Sequence, residues 1–290
     1  MTLATSASDY IGIFKPRIAV LLDLVAVSAL LVAAKSIPPL FTVAALVVTG
    51  SIASAGASAL NNYFDRDLDS RMKRTRFRPL PSGRIQPTNK VLVVGMVLSV
   101  ASVLAAYLVL NLPTAFFIGL GVLFYVGVYT LWLKRRSTWN IVLGGFAGSC
   151  AALAGWSSIT GWAQLTPWLM ALIVFLWTPT HFWSLALRAK DDYATAGVPM
   201  LPVVVGEKKA IGYLIINTLA LIAVSLAGFF LGAFGKLFFV AALVLGALLL
   251  YRNIRLYENT AVEAWRSFKF SNLYLAALFA AMVLDAFYTI

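Results

Sequence analysis

Apolar residues in this 290-residue chain gather into long runs and do not alternate with polar ones. Windows of about 20 residues, enough to carry a helix through bilayer hydrocarbon, fall at roughly 18–34, 41–60, 91–110, 114–133, 139–158, 166–187, 210–232, 236–252 and 270–288. The pattern predicts an all-α, polytopic transmembrane helical bundle of about nine spans, because in lipid an open chain satisfies its backbone groups only as helix. Residues 1–290 read as a single transmembrane domain, with 1–13 a flexible cytoplasmic lead-in. The run from Ile18 to Ala34 is longer than the apolar core of a cleaved signal, so it is expected to be retained as the first span.

Composition sharpens the picture. With 61% hydrophobic and 12% charged residues, a soluble domain of this size is excluded. The net charge of +12 raises the question of nucleic acid, but basic residues of membrane proteins gather in cytoplasmic loops for topological reasons. With the N-terminus set in the cytoplasm, 21 of the 23 Lys and Arg residues fall on the inner side. Only Lys35 and Lys236 fall outside. The bias therefore predicts an internal N-terminus and an external C-terminus, with the bilayer, not nucleic acid, as partner. Cys150, the single cysteine, lies in an apolar run and is expected to pack.

Candidate chemistry lies in the two longest inner loops. Behind the second span, Asn61, Asp65 and Asp69 are spaced four apart, so a continuing helix sets them on one face. Asp67 points elsewhere. Carboxylates so arranged suit Mg²⁺, which takes oxygen ligands and commonly binds substrate phosphates. Lys73, Arg74 and Arg78, just downstream, can grip the same phosphates. An ordinary basic membrane loop is the plain alternative, but it leaves the Asn–Asp–Asp ladder unexplained. Behind the sixth span, Asp191 and Asp192 stand between Arg188, Lys190 and a Gly/Pro-rich turn. Alone, that pair reads equally well as neutralised surface charge. Two acidic clusters on one membrane face can hold a diphosphate between them. His181 lies seven residues before Arg188, and reads either as a packed core residue or as a functional group at membrane depth. Asp23 is expected to face a cavity, and Asp285 to be structural. Tyr63, Tyr125 and Tyr129 lie in inner halves of spans, where aromatic faces can stabilise a carbocation.

These motifs resemble the UbiA superfamily of intramembrane prenyltransferases. The first, N-x-x-x-D-x-x-x-D followed by R-T-x-x-R-P-L-P-S-G, stands here from Asn61 to Gly83. The second, D-D-Y-x-x-x-G-V-P-M-L-P-V-V-x-G from Asp191, preceded by H-F-W from His181, departs from the general D-x-x-x-D. It is similar to the branch that farnesylates haem, as are Lys15–Arg17 and Asp23. The resemblance implies transfer of farnesyl from farnesyl diphosphate to a vinyl group of haem B, with water added, to give haem O. It implies Mg²⁺ held by Asp65, Asp69, Asp191 and Asp192, with Arg74 and Arg78 also catalytic. Asn61, Lys73, Arg188, Lys190, His181 and Tyr193 would bind substrate. It further implies a bacterial cytoplasmic membrane, and haem A synthase or oxidase assembly factors as partners. Three rivals remain: a relative prenylating 4-hydroxybenzoate or a similar aromatic acceptor, a transporter of an anionic lipid or phosphate substrate, and a non-catalytic haem-handling subunit.

Overall fold

The computed structural model describes residues 7–288, and these form a bundle of α-helices. The long helices are α2 (Pro16–Ala34), α3 (Leu40–Phe64), α5 (Asn89–Val109), α6 (Leu112–Val122, continued by π-helical Leu123–Leu133), α9 (Leu165–Arg188), α12 (Glu207–Phe230), α13 (Lys236–Ile254) and α14 (Thr260–Tyr288). These eight are each long and apolar enough to cross a membrane. Short helices α1 (Ala7–Phe14), α4 (Arg66–Arg71), α10 (Lys190–Thr195) and α11 (Leu201–Val205) lie between or before them.

The fifth expected span, 139–158, differs from expectation. It is two pieces, α7 (Asn140–Gly144) and α8 (Phe146–Ser157), interrupted at Gly145. A Cβ on Gly145 would lie 2.9 Å from the Thr178 side chain, so the break sits where the segment presses on α9. The two pieces still cross the bundle. Lys134, just before them, reaches Asp65 at one end, while the Ser157 carbonyl accepts from Asn111 Nδ2 at 2.8 Å at the other.

The N-terminal lead-in also departs from the flexible segment expected. Residues 1–6 lie outside the described residues, but α1 is helical and docked. Ile13 is buried with Ala59, Leu80, Ile85 and Val91, and Asp9 accepts from Arg84 Nε at 2.8 Å.

Helix faces are sorted as lipid demands. On α5 the exposed stripe is Val93, Val97, Val100, Leu104 and Leu108, while Val91, Gly95, Ser99, Ser102 and Ala106 turn inward. Small residues inside let backbones approach closely, which drives helix association where lipid offers no hydrophobic gain. Gly155 is the extreme case: a Cβ there would lie 1.9 Å from the Ala26 carbonyl oxygen of α2. Most of α9 is buried, and it packs against α8, α12 and α14. Polar side chains stitch this core. Thr180 and Thr218 hydroxyls lie 3.1 Å apart, Asn253 Nδ2 donates to Thr218 at 2.9 Å, and Ser267 donates to Asn253 Oδ1 at 2.5 Å. Asp285 is structural, as expected: it caps α13 by accepting from the backbone N–H groups of Gly235, Leu237 and Phe238.

Candidate active site

The α3 helix stops at Phe64 and restarts as α4 after one residue, Asp65. Four-residue hydrogen bonding runs through the break: Asp65 N–H donates to the Asn61 carbonyl at 2.9 Å, and Asp69 N–H to the Asp65 carbonyl at 2.8 Å. Asn61, Asp65 and Asp69 therefore share a face, and all three are buried. Asn61 Nδ2 donates to Asp65 Oδ2 at 2.7 Å and to Thr130 Oγ1 at 3.0 Å, while Lys15 Nζ donates to Asn61 Oδ1 at 2.7 Å. Lys134 Nζ bonds Asp65 Oδ2, and Arg78 Nη1 donates to Asp69 Oδ2 at 2.7 Å. Asp67 turns away as the spacing predicts, forming a bidentate pair with Arg135 at 2.6 and 2.7 Å.

Electrostatics here follow from burying several charges together. Burial, reinforced by the positive charges of Arg78 and Lys134, pushes the Lys15 amine down to about 7. Burial pulls on Lys134 in the same direction, but the Asp65 carboxylate outweighs it and the net shift is upward. Lys134 is thus a fixed cation. The hydrogen bond from Arg135 holds the Asp67 carboxyl below the usual carboxylate range.

The second cluster is tied to the basic loop that follows the first. After α9 the chain turns at Ala189 into α10, and Val198 N–H donates to the Tyr193 carbonyl at 2.9 Å to end it. Asp192 Oδ1 and Oδ2 accept from the backbone N–H groups of Lys73 and Arg74, each at 3.1 Å. One carboxylate thus ties the second loop to the first. A cavity of about 620 Å³ opens there, lined by Lys73, Arg74, Arg188, Asp191, Asp192 and Trp265 among others. Tyr193 is buried against Leu68, Met72 and Leu187, next to α4.

Two expected site residues lie apart from the charged clusters. Lys190 Nζ turns to Glu207 Oε1 at 3.1 Å and does not line the cavity. His181 lies on α9 seven residues before Arg188, roughly 10 Å deeper at 1.5 Å per residue. Its ring is sandwiched between Trp177 and Phe268, at 4.4 and 4.3 Å, with Nδ1 2.8 Å from Ser271 Oγ. Asp23, expected to face a cavity, is half-buried and accepts from Ser51 Oγ of α3 at 2.5 Å.

Other site residues carry no sequence signal of their own. Lys134 is the first of three consecutive basic residues and reads as topological charge. Its approach to Asp65 depends on the π-helical turn before it, which also presents Thr130 to Asn61 and stacks Tyr125 on Tyr129 at 5.9 Å. Such wide turns occur frequently at functional sites. Thr75 is buried and donates to the Asp69 carbonyl at 3.0 Å, bending the basic loop back over the ladder.

The oxygen donors suit Mg²⁺. Asp65 Oδ1 is buried without a hydrogen-bond partner, a position that an ion would satisfy. Among the described residues no three His, Cys, Asp or Glu side chains form a complete metal cage. Mg²⁺ usually needs no such cage, being held by one or two carboxylates, waters and substrate phosphates.

Residues 22–282 match the UbiA prenyltransferase family. The chain belongs to that family. It is 46% identical to "Protoheme IX farnesyltransferase 1" of Cenarchaeum symbiosum, covering 97% of this chain and 96% of that one. It is 41% identical to the "Protoheme IX farnesyltransferase" of Symbiobacterium thermophilum, covering 96% and 93%. The fold is that of solved UbiA homologues. The Aeropyrum pernix apo structure superposes with a TM-score of 0.74 at 20% identity, over 93% of this chain and 98% of that one. The Archaeoglobus fulgidus structure bound to DMAPP and Mg²⁺ gives 0.67 at 18% identity, over 94% and 99%.

Proposed function

We infer that this UbiA member transfers the farnesyl group of farnesyl diphosphate to a vinyl group of haem B, forming haem O. The observation that carries the reaction type is the junction at Asp192, which ties the second acidic loop to the basic loop following the first, at one end of the bundle. The names of relatives 46% and 41% identical over nearly the full chain support the choice of donor and acceptor.

In this reading Asp65 and Asp69 on the first loop, and Asp191 on the second, would each help to hold Mg²⁺ together with waters and the substrate phosphates, and the metal would neutralise charge on the diphosphate leaving group. Asp192 holds the basic loop beside them. Asn61, fixed by Lys15 and Thr130, keeps the Asp65 carboxylate aimed. Arg78, Arg74, Lys73, Arg188 and the charged Lys134 surround the leaving group, and their fixed positive charge favours the state in which the farnesyl C–O bond has broken. The vinyl terminus supplies the electron pair for the new C–C bond. A water oxygen then bonds the carbon next to the pyrrole and releases a proton. The stacked Tyr125 and Tyr129 rings shield the first cation, and the apolar bundle keeps bulk water from it. The excess of basic residues at this end supports a cytoplasmic site, with the N-terminus inside and the C-terminus outside.

The discriminating experiment offers radiolabelled farnesyl diphosphate and Mg²⁺ to purified enzyme with haem B and 4-hydroxybenzoate together. Label moving into a haem fraction is the expected result. Label in the benzoate alone would refute the acceptor while leaving the prenyltransferase reading standing.

A further inference from the structure

A second, open cavity, of about 660 Å³, lies between α13 and α14, lined by Arg252, Arg266, Lys269, Phe270 and Leu273. Four of these follow one another along α14 at spacings of three, four and seven from Arg266, so they form one face. Chemistry changes along that face. Arg266 and Lys269 mark its loop end, and Phe270 and Leu273 continue it toward the bundle's middle, Leu273 being 61% exposed. Arg252, in the last turn of α13, completes a basic lip at the same end. Trp265, one residue before Arg266, faces the other cavity, with Asp191 and Asp192. The two cavities have no lining residue in common.

Two of the lip's three cations are not spent on carboxylate partners. Glu263 is the nearby carboxylate, and it accepts from Arg266 Nη1 at 2.7 Å with Arg255 Nη2 at 4.0 Å. Among the described residues Arg252 and Lys269 make no ion pair within 4.0 Å; Lys269 Nζ lies 5.8 Å from the Trp265 ring. A basic rim continuous with an apolar, outward-facing wall fits a molecule with an anionic head and a hydrocarbon tail. Basic pockets between spans at the cytoplasmic surface bind anionic headgroups in this way.

We propose that the groove between the inner ends of α13 and α14 is a binding site for one anionic phospholipid. Its phosphate sits among Arg252, Arg266 and Lys269, and its acyl chain lies along Phe270 and Leu273. The site does not depend on which acceptor the enzyme prenylates. A lipid seated there would brace α14, the helix that supplies Trp265 to the carboxylate cavity.

Native mass spectrometry of the delipidated, full-length protein, titrated with palmitoyl-oleoyl phosphatidylglycerol or its phosphatidylcholine counterpart, tests this. Wild type should retain one phosphatidylglycerol in preference to phosphatidylcholine. The double variant Arg252→Gln/Lys269→Gln leaves the Arg266–Glu263 pair intact, and so spares the fold. It should lose phosphatidylglycerol retention by roughly 25-fold, at about fivefold for each basic side chain near the membrane surface, with phosphatidylcholine retention unchanged. Equal retention of the two lipids by wild type would overturn the proposal, as would unchanged phosphatidylglycerol retention in the variant. Displacement of the lipid by stoichiometric haem B would overturn it too, by assigning the basic lip to haem propionates.

Discussion

Three aspartates within five residues do different work, and their partners say which. Asp65 and Asp69 are buried among Asn61, Lys134 and Arg78, whereas Asp67 is half exposed and bound to Arg135. Asp65→Asn removes a charged oxygen from the proposed Mg²⁺ site and leaves the buried Lys134 without its counter-ion. Activity with farnesyl diphosphate should fall by at least about a hundredfold, on the scale of losing one preorganised electrostatic group. Asp67→Asn should cost less than about tenfold, since exposed pairs contribute little. Steady-state kinetics of the two purified variants decide it, and equal losses would refute the division of roles. The division between Asp67 and its neighbours was legible in the four-residue spacing alone. Lys134 was not, because a lysine beside two arginines at the end of a span carries no mark separating a ligand partner from topological charge. The clamp at Asp192 was equally hidden, since backbone N–H groups leave no trace in side-chain identity.

Elements show the same mixture. Hydrophobic run length was enough to find the spans, because lipid imposes it. It could not show the break at Gly145 or the π-helical turn at Leu123–Leu133, which arise from packing against α9 and α3. Nor could it orient His181, whose ring is fixed by Trp177, Phe268 and Ser271 on two helices far apart in sequence. The polar stitch through Thr180, Thr218, Asn253 and Ser267 joins α9, α12, α13 and α14 around this core. Asn253→Leu leaves two buried hydroxyls short of a partner and should destabilise the bundle by about 1 kcal/mol. A lower thermal midpoint in detergent, with Mg²⁺ dependence unchanged, is the expected outcome. An unchanged midpoint would mean that the stitch holds nothing.

At the scale of the molecule, the bundle brings two loops more than 100 residues apart to one end, and Asp192 joins them to make a charged mouth above an apolar interior. Carboxylate oxygens and fixed cations gather at this end, where a diphosphate would sit. Aromatic and aliphatic side chains lie below, where a farnesyl chain and a porphyrin would be kept from water. This separation of leaving group from reacting carbons is the central claim, and the haem content of membranes tests it most directly. Membranes from cells lacking any other haem farnesylating enzyme, with this protein expressed, should contain haem O by chromatography and mass spectrometry. Those expressing Asp65→Asn to the same level should contain haem B alone. Haem B as the only haem in both would contradict the account, and so would equal haem O in both.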